Sequence, residues 1–65
     1  MPNIGENLRN LREQASLTQK ELGDRFGVAA ATVSRWESND RSLPIAILPK
    51  LARTLRCEIT DFFRE

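Results

Sequence analysis

The sequence predicts an all-α fold: a compact bundle of five short helices forming one domain over residues 1–65. Three observations carry that reading. Apolar residues recur at helical spacing along the whole chain, no segment shows four or more residues of clean apolar–polar alternation, and 65 residues leave room for one small domain. A chain of this length buries only about 60% of the surface its unfolded form exposes, so the core has to be compact. With 40% apolar and 29% charged residues the composition is globular rather than disordered. Ten Lys and Arg against nine Asp and Glu give a net charge of +1, which points to no class of partner.

The elements follow in order. Ile4, Leu8, Leu11 and Ala15 form the stripe of a first helix, and Asn3 with Glu6 three residues later marks its start. Thr18-Gln19-Lys20-Glu21 is a capping box, in which a hydroxyl and a carboxylate each satisfy an orphan backbone N–H. The second helix it opens carries Leu22 and Phe26 and stops at Gly27. A third helix covers Ala30 to Ser38 with Ala29, Val33 and Trp36 on one face, and Ser38-Asn39-Asp40-Arg41-Ser42 follows as a loop. Pro44 and Pro49 bracket Ile45-Ala46-Ile47-Leu48, too short a run to specify a helix by itself. Pro49 suits the first position of a fourth helix running to Leu55, with Leu51, Ala52 and Leu55 facing inward. A fifth helix fits Thr60 to Arg64, capped by Thr60 and packing Ile59, Phe62 and Phe63.

Composition also excludes functions. There is no His and a single Cys, Cys57, which removes His-based acid–base catalysis, a catalytic triad, a disulfide framework and a tetrahedral Cys/His zinc site. Glu13, Asp24, Asp40 and Glu58 show no metal-ligand spacing and read as surface charges. The chain is therefore expected to be no enzyme and to hold neither metal nor cofactor. No apolar run approaches the ~20 residues of a membrane span, and the N-terminus carries Asn and Glu where a signal peptide would be apolar. A cytoplasmic module is the expectation.

The most informative feature is the junction Phe26-Gly27-Val28. Two helices meeting across a short Gly-containing turn form a helix-turn-helix, here over about residues 18–38. Gly23 costs ~1 kcal/mol relative to Ala inside a helix, and a small residue there lets the next helix pass closely. Gly27 supplies a turn that calls for positive φ. Leu22, Phe26, Val33 and Trp36 fill the wedge between the helices.

Leu17-Thr18-Gln19-Lys20-Glu21-Leu22-Gly23, then Phe26-Gly27-Val28, then Thr32-Val33-Ser34-Arg35-Trp36-Glu37 resembles the Cro/phage-repressor type of helix-turn-helix, also called the XRE family. The likeness runs from about Ile4 to Phe63 and implies a lambda-repressor-like DNA-binding domain. In such proteins the third helix lies in the major groove and the second crosses the backbone. The resemblance implies that Gln19 holds a phosphate at the positive end of the second helix, with Lys20 serving the same strand. It implies base reading by Ala29, Ala30 and Ala31 and, one turn later, by Ser34 and Arg35. Ser38 and Arg41 fall where the family touches phosphate again, and Arg12 and Glu37 match its structural salt bridge.

Three positions depart from the family pattern. Ala29 stands where Ser or Thr commonly caps the recognition helix, a loss of typically ~1 kcal/mol. Asn39 and Arg56 replace common glycines, so Arg56 implies either strain or a different helix end. The alanine run offers methyl groups suited to the C5-methyl of thymine, while Arg35 has the fork that matches O6 and N7 of guanine. The rest of the recognition then falls to DNA shape. The same run also reads simply as helix-favouring sequence.

Other residues read more plainly. Trp36, three residues from Val33, is a core residue rather than a base-stacking platform. Phe62 and Phe63 cannot both face inward, so one is core and the other is an exposed anchor. Lys50, Arg53 and Arg56 form a solvated basic face, Cys57 is a small, partly buried residue, and Arg25 either faces solvent or reaches a phosphate. The leading expectation is a sequence-specific repressor of bacterial or phage type, cytoplasmic and nucleoid-associated. It would bind a palindromic operator in double-stranded DNA as a homodimer built on Ile45–Leu48 and Ile59–Phe63. The competing expectation is a protein-interaction module or an antitoxin-like component of a larger assembly, which the low net charge and the alanine-rich helix favour.

Overall fold

The computed structural model describes residues 3–38 and 40–65. It contains α1 (Ile4–Gln14), α2 (Gln19–Phe26), α3 (Ala30–Ser38) and α4 (Leu48–Leu55), with 3-10 turns at Asp40–Ser42, Ile45–Ile47 and Ile59–Phe63. Asn39, one of the departures from the family pattern, lies outside the described residues. The fold is all-α, with no strand among the described residues.

The expected fifth helix is a 3-10 turn, and its start differs from the expectation. Glu58, not Thr60, precedes it, and the Glu58 N–H donates to Asp61 Oδ2 at 3.0 Å. Five residues are too few for α-helical hydrogen bonds to repay nucleation, so the tighter i to i+3 pattern wins. Phe62 is fully buried whereas Phe63 and Ile59 are 43% and 41% exposed, so Ile59 does not pack inward as expected. Asn7 on α1 anchors this turn, donating through Nδ2 to the carbonyls of Phe62 and Arg64 at 2.8 and 2.7 Å.

One core joins every element. Leu8, Leu22, Val33, Trp36, Leu43, Leu48, Leu51, Ala52, Leu55 and Phe62 are buried together. α2 packs on α3, α1 on α3 and on the C-terminal turn, and α4 on the two turns that flank it. Trp36 is core, with Phe26 edge-on to it at 6.2 Å and 84°. Ala29 does not share its face: it is exposed, at the start of α3.

α1 carries a second buried set, Gly5, Leu8 and Arg12. A Cβ on Gly5 would stand 2.6 Å from the Glu37 carbonyl oxygen and 2.7 Å from that of Trp36, so only glycine lets α1 approach the end of α3. Two turns along, Arg12 completes the contact. Its Nε donates to Glu37 Oε2 at 2.6 Å, its Nη2 to Oε1 at 3.3 Å and its Nη1 to the Leu17 carbonyl at 2.7 Å. Both side chains are nearly dry, 10% and 4% exposed. The hydrogen bond to Glu37 raises the Arg12 pKa further, so the guanidinium remains charged despite its burial.

Three helices end alike, each followed by one left-handed residue. Ser16 (φ 60°), Gly27 (φ 69°) and Arg56 (φ 56°) follow α1, α2 and α4. In each case the next N–H reaches back five residues, Leu17 to Arg12, Val28 to Gly23 and Cys57 to Ala52, at 3.1, 2.9 and 2.9 Å. These closures satisfy carbonyls that the helix itself cannot. Arg56 therefore ends its helix as a glycine would, and a non-glycine residue in that conformation is strained by roughly 1–2 kcal/mol.

Glu37→Ala leaves the Arg12 charge buried and unpaired, and urea denaturation should show a loss of about 3–5 kcal/mol. Wild-type stability would show that the pair carries no such weight. Arg56→Gly relieves the left-handed strain at some gain in unfolded-state entropy and should stabilise the domain by about 0.5–1 kcal/mol in the same assay.

Candidate nucleic-acid interface

The second helix begins as its sequence predicts. Thr18 Oγ1 accepts the Glu21 N–H at 3.0 Å, and Glu21 Oε1 accepts the Thr18 N–H at 2.8 Å. The Thr18 N–H, followed by its hydroxyl, holds the Glu21 carboxyl below the usual carboxylate range. At the other end of α2, a Cβ on Gly23 would lie 2.6 Å from the Val28 carbonyl oxygen, so this glycine sets how closely the turn into α3 can pass.

α3 starts without a side-chain cap. The Ala29 carbonyl accepts the Thr32 and Val33 N–H groups at 3.0 and 3.3 Å, which makes Ala29 the residue before the helix, but a methyl group can accept nothing in return. With Val33 and Trp36 turned into the core, α3 presents Ala31, Ser34, Arg35 and Ser38 to solvent; Ala29 is exposed ahead of it and Ala30 is half-buried. Of the residues expected to read bases, Ala31, Ser34 and Arg35 thus occur on an open helix face whose orientation is fixed by its buried side, whereas Ala29 precedes it and Ala30 is partly covered.

The expected phosphate-contacting residues are distributed around that face. Gln19 is half-buried at the start of α2, and its Nε2 donates to Glu37 Oε1 at 3.0 Å. The same carboxylate therefore binds Arg12 of α1 and Gln19 of α2 while belonging to α3. Gln19, Ser34 and Ser38 line one cleft with Arg12 and Glu37. Lys20 is exposed and paired with Asp24 at 3.1 Å, a contact of little energetic weight at such exposure. Arg41 is exposed on the turn after α3, and Ser42 Oγ in that turn donates to the Arg35 carbonyl at 3.2 Å. Ser38 Oγ lies 3.4 Å from that carbonyl.

Three contributions escaped the sequence reading. Arg9 of α1 lines the same cleft as Gln19, Ser34 and Ser38. Ser42 ties the loop to α3. Gly5 was detectable as a glycine on the Leu8 face of a helix, three residues from Leu8 and seven from Arg12, whereas nothing local marks Arg9 or Ser42.

The remaining candidates lie elsewhere. Lys50 places Nζ 4.6 Å from the centroid of the Phe26 ring, and Arg53 on α4 and Arg56 just after it are exposed. Arg25 is exposed and shares a cleft with Thr54 and Arg56, on the α4 side of α2. Cys57 is half-buried, and burial, then Asp61 and Glu58, push its thiol pKa up, away from thiolate reactivity. Among the described residues no group of three His, Cys, Asp or Glu could hold a metal ion, and no helix is long and apolar enough to cross a membrane.

The Glu21 carboxyl has a folded-state pKa below its ordinary value of 4.5, so the stability it contributes is complete above that value and lost as pH falls through the folded one. Urea midpoints of wild type and Glu21→Ala should differ at neutral pH and converge progressively below about pH 4.5. A difference that is constant with pH would refute the ionised cap.

The chain is 44% identical over 57 residues to the HTH-type transcriptional repressor RghR of Bacillus subtilis (strain 168), covering 86% of this chain and 42% of that protein. It is 30% identical over 60 residues to the competence pilus inhibition repressor of Acinetobacter baylyi (strain ATCC 33305 / BD413 / ADP1), covering 92% of this chain and 54% of that protein. The chain thus spans about half the length of these curated relatives. No solved structure matches it significantly. The sequence profile of the helix-turn-helix family matches residues 8–62, nearly the whole of the described fold, and the chain belongs to that family.

Proposed function

We propose that the chain is the DNA-binding part of a sequence-specific transcriptional repressor that inserts α3 into the major groove of double-stranded DNA. The observation that carries this reading is the exposed face of α3, with Ala31, Ser34, Arg35 and Ser38 open to solvent beside the Gln19 end of α2. Helix-turn-helix proteins use a recognition helix in this way while the preceding helix crosses the phosphate backbone. Two relatives named as repressors support the regulatory sense, and such a protein would act on the cytoplasmic nucleoid.

The division of labour follows from the residue types. Arg35 is the one side chain on this face with a fork for guanine O6 and N7. Ala29, Ala30 and Ala31 offer methyl contacts to thymine, and Ser34 a hydroxyl suited to either base. Gln19, Lys20, Ser38 and Arg41 hold phosphates, which sets register rather than sequence. With so few hydrogen-bonding readers, DNA shape supplies part of the discrimination.

A single short helix reads few base pairs, so the reading includes a homodimer on a palindromic site. Recognition helices related by a two-fold axis sit about 34 Å apart, one DNA turn, and a domain of 28 × 22 × 20 Å fits that repeat. The apolar side chains available for the contact are Ile45, Ile59 and Phe63, exposed by 73%, 41% and 43%.

Selection from a random duplex pool at near-physiological salt tests the reading. Enrichment of a palindrome with guanine at matching places in each half is expected. Arg35→Ala should lose discrimination at that guanine by about 1–3 kcal/mol per half-site. An unchanged base preference would remove Arg35 from its role, and enrichment of nothing would favour the protein-interaction reading.

A further inference from the structure

Arg9 belongs to α1, outside the helix-turn-helix, yet it lines the cleft shared by Gln19 and the Ser34 and Ser38 hydroxyls. The other charges in that cleft, Arg12 and Glu37, neutralise one another at 2.6 Å and are nearly buried. Gln19, Ser34 and Ser38 are neutral, so they can orient an anion but release no counterion from it. Lys20 is held by Asp24 of its own helix at 3.1 Å. Arg9 is the exposed cation of the cleft. Its side chain is 63% exposed, and its nearest carboxylate, Glu13, is 53% exposed and stands off at 3.6 Å. A pair that open and that long is readily exchanged for a stronger one. An arginine–phosphate contact is such a replacement, since charge-assisted, bidentate hydrogen bonds are roughly twice as strong as neutral ones.

We propose that Arg9 is a phosphate-binding residue that carries the DNA interface from the helix-turn-helix onto α1; this inference rests on the DNA-binding reading above. The surroundings give the contact an edge. Arg9 also lines a second depression with Asn3, Glu6, Asn10, Glu13 and Glu37, and the exposed Glu6 and Glu13 carboxylates there repel a phosphate. The backbone is therefore held to the side of Arg9 that faces Gln19, Ser34 and Ser38. Arg9 contributes affinity and register, not base choice, because a phosphate carries no sequence information.

The test is a fluorescence-anisotropy titration of a mixed-sequence 30-base-pair duplex with the full chain over a range of salt concentrations. It compares wild type, Arg9→Ala, Glu13→Gln and Arg53→Ala, with thermal melts of each. Arg9→Ala should bind several-fold more weakly at low salt, and the slope of log K against log salt should shrink by about 0.9 per bound protomer. Its melt and its ranking of sequences should remain wild-type. Glu13→Gln frees Arg9 and should tighten binding, whereas Arg53→Ala, a charge change of the same size on α4, should leave the slope unaltered. Wild-type binding together with an unchanged Arg9→Ala slope overturns the inference alone, as does an equal loss in Arg53→Ala, which would reflect overall charge. A wild type without salt-dependent binding overturns the DNA reading and this inference with it.

Discussion

The Glu37 carboxylate is the point on which the domain's geometry depends. It is 4% exposed and accepts hydrogen bonds from Arg12 and Gln19, so one buried group at the end of α3 binds both preceding helices. A buried ion pair is weak evidence for stability as such, because desolvation offsets much of the attraction. What it imposes is position. A guanidinium and a carboxylate meeting bidentately tolerate little displacement, and Gly5 brings the α1 backbone close enough for that meeting to occur. α3 is thus oriented by charge at its C-terminal end and by Val33 and Trp36 along its length.

The same network reaches the interface. Gln19, at the start of α2, donates one N–H to Glu37 and retains its carbonyl and a second N–H. Preordering that amide reduces the entropy lost when a ligand immobilises it. At the same C-terminal end of α3, the Arg35 carbonyl accepts the Ser42 hydroxyl, so the loop bearing Arg41 is tied to the helix bearing Arg35. The loop and the helix are coupled through a backbone carbonyl rather than through the exposed side chains of α3.

Against this fixed frame the exposed face of α3 is chemically sparse. Ala29, Ala30 and Ala31 leave the leading turn without hydrogen-bonding groups, and α3 lacks a cap that a hydroxyl would have supplied. Under the proposed DNA-binding reading, direct readout falls nearly entirely on Arg35, and phosphate contacts and DNA deformability carry more of the binding.

Local signals were legible wherever their physics is local. The Asn3 cap, the Thr18–Glu21 capping box, the left-handed Gly27 and the apolar stripes of the helices depend on residues within a turn or two, and the structure contains them, except that Ala29 is exposed rather than on the Val33–Trp36 face. The Arg12–Glu37 pair was legible through family resemblance alone, since no spacing rule joins residues so far apart in sequence. The C-terminal segment was misread as an α-helix capped at Thr60 because its apolar residues suit either kind of helix, and Asn7 reaching from α1 decides how that segment docks. Whether Arg56 would be strained or would end its helix differently was equally open, and the packing of Leu55 and Cys57 around it settled for strain. By itself, then, the sequence determined the helices, their principal ends and the inward faces, because hydrophobic period and capping act over a few residues. Only the tertiary structure decided which distant groups share Glu37, why Gly5 has to be glycine and that Arg9 of α1 lines a cleft with α2 and α3, because those follow from the close approach of backbones far apart in the chain.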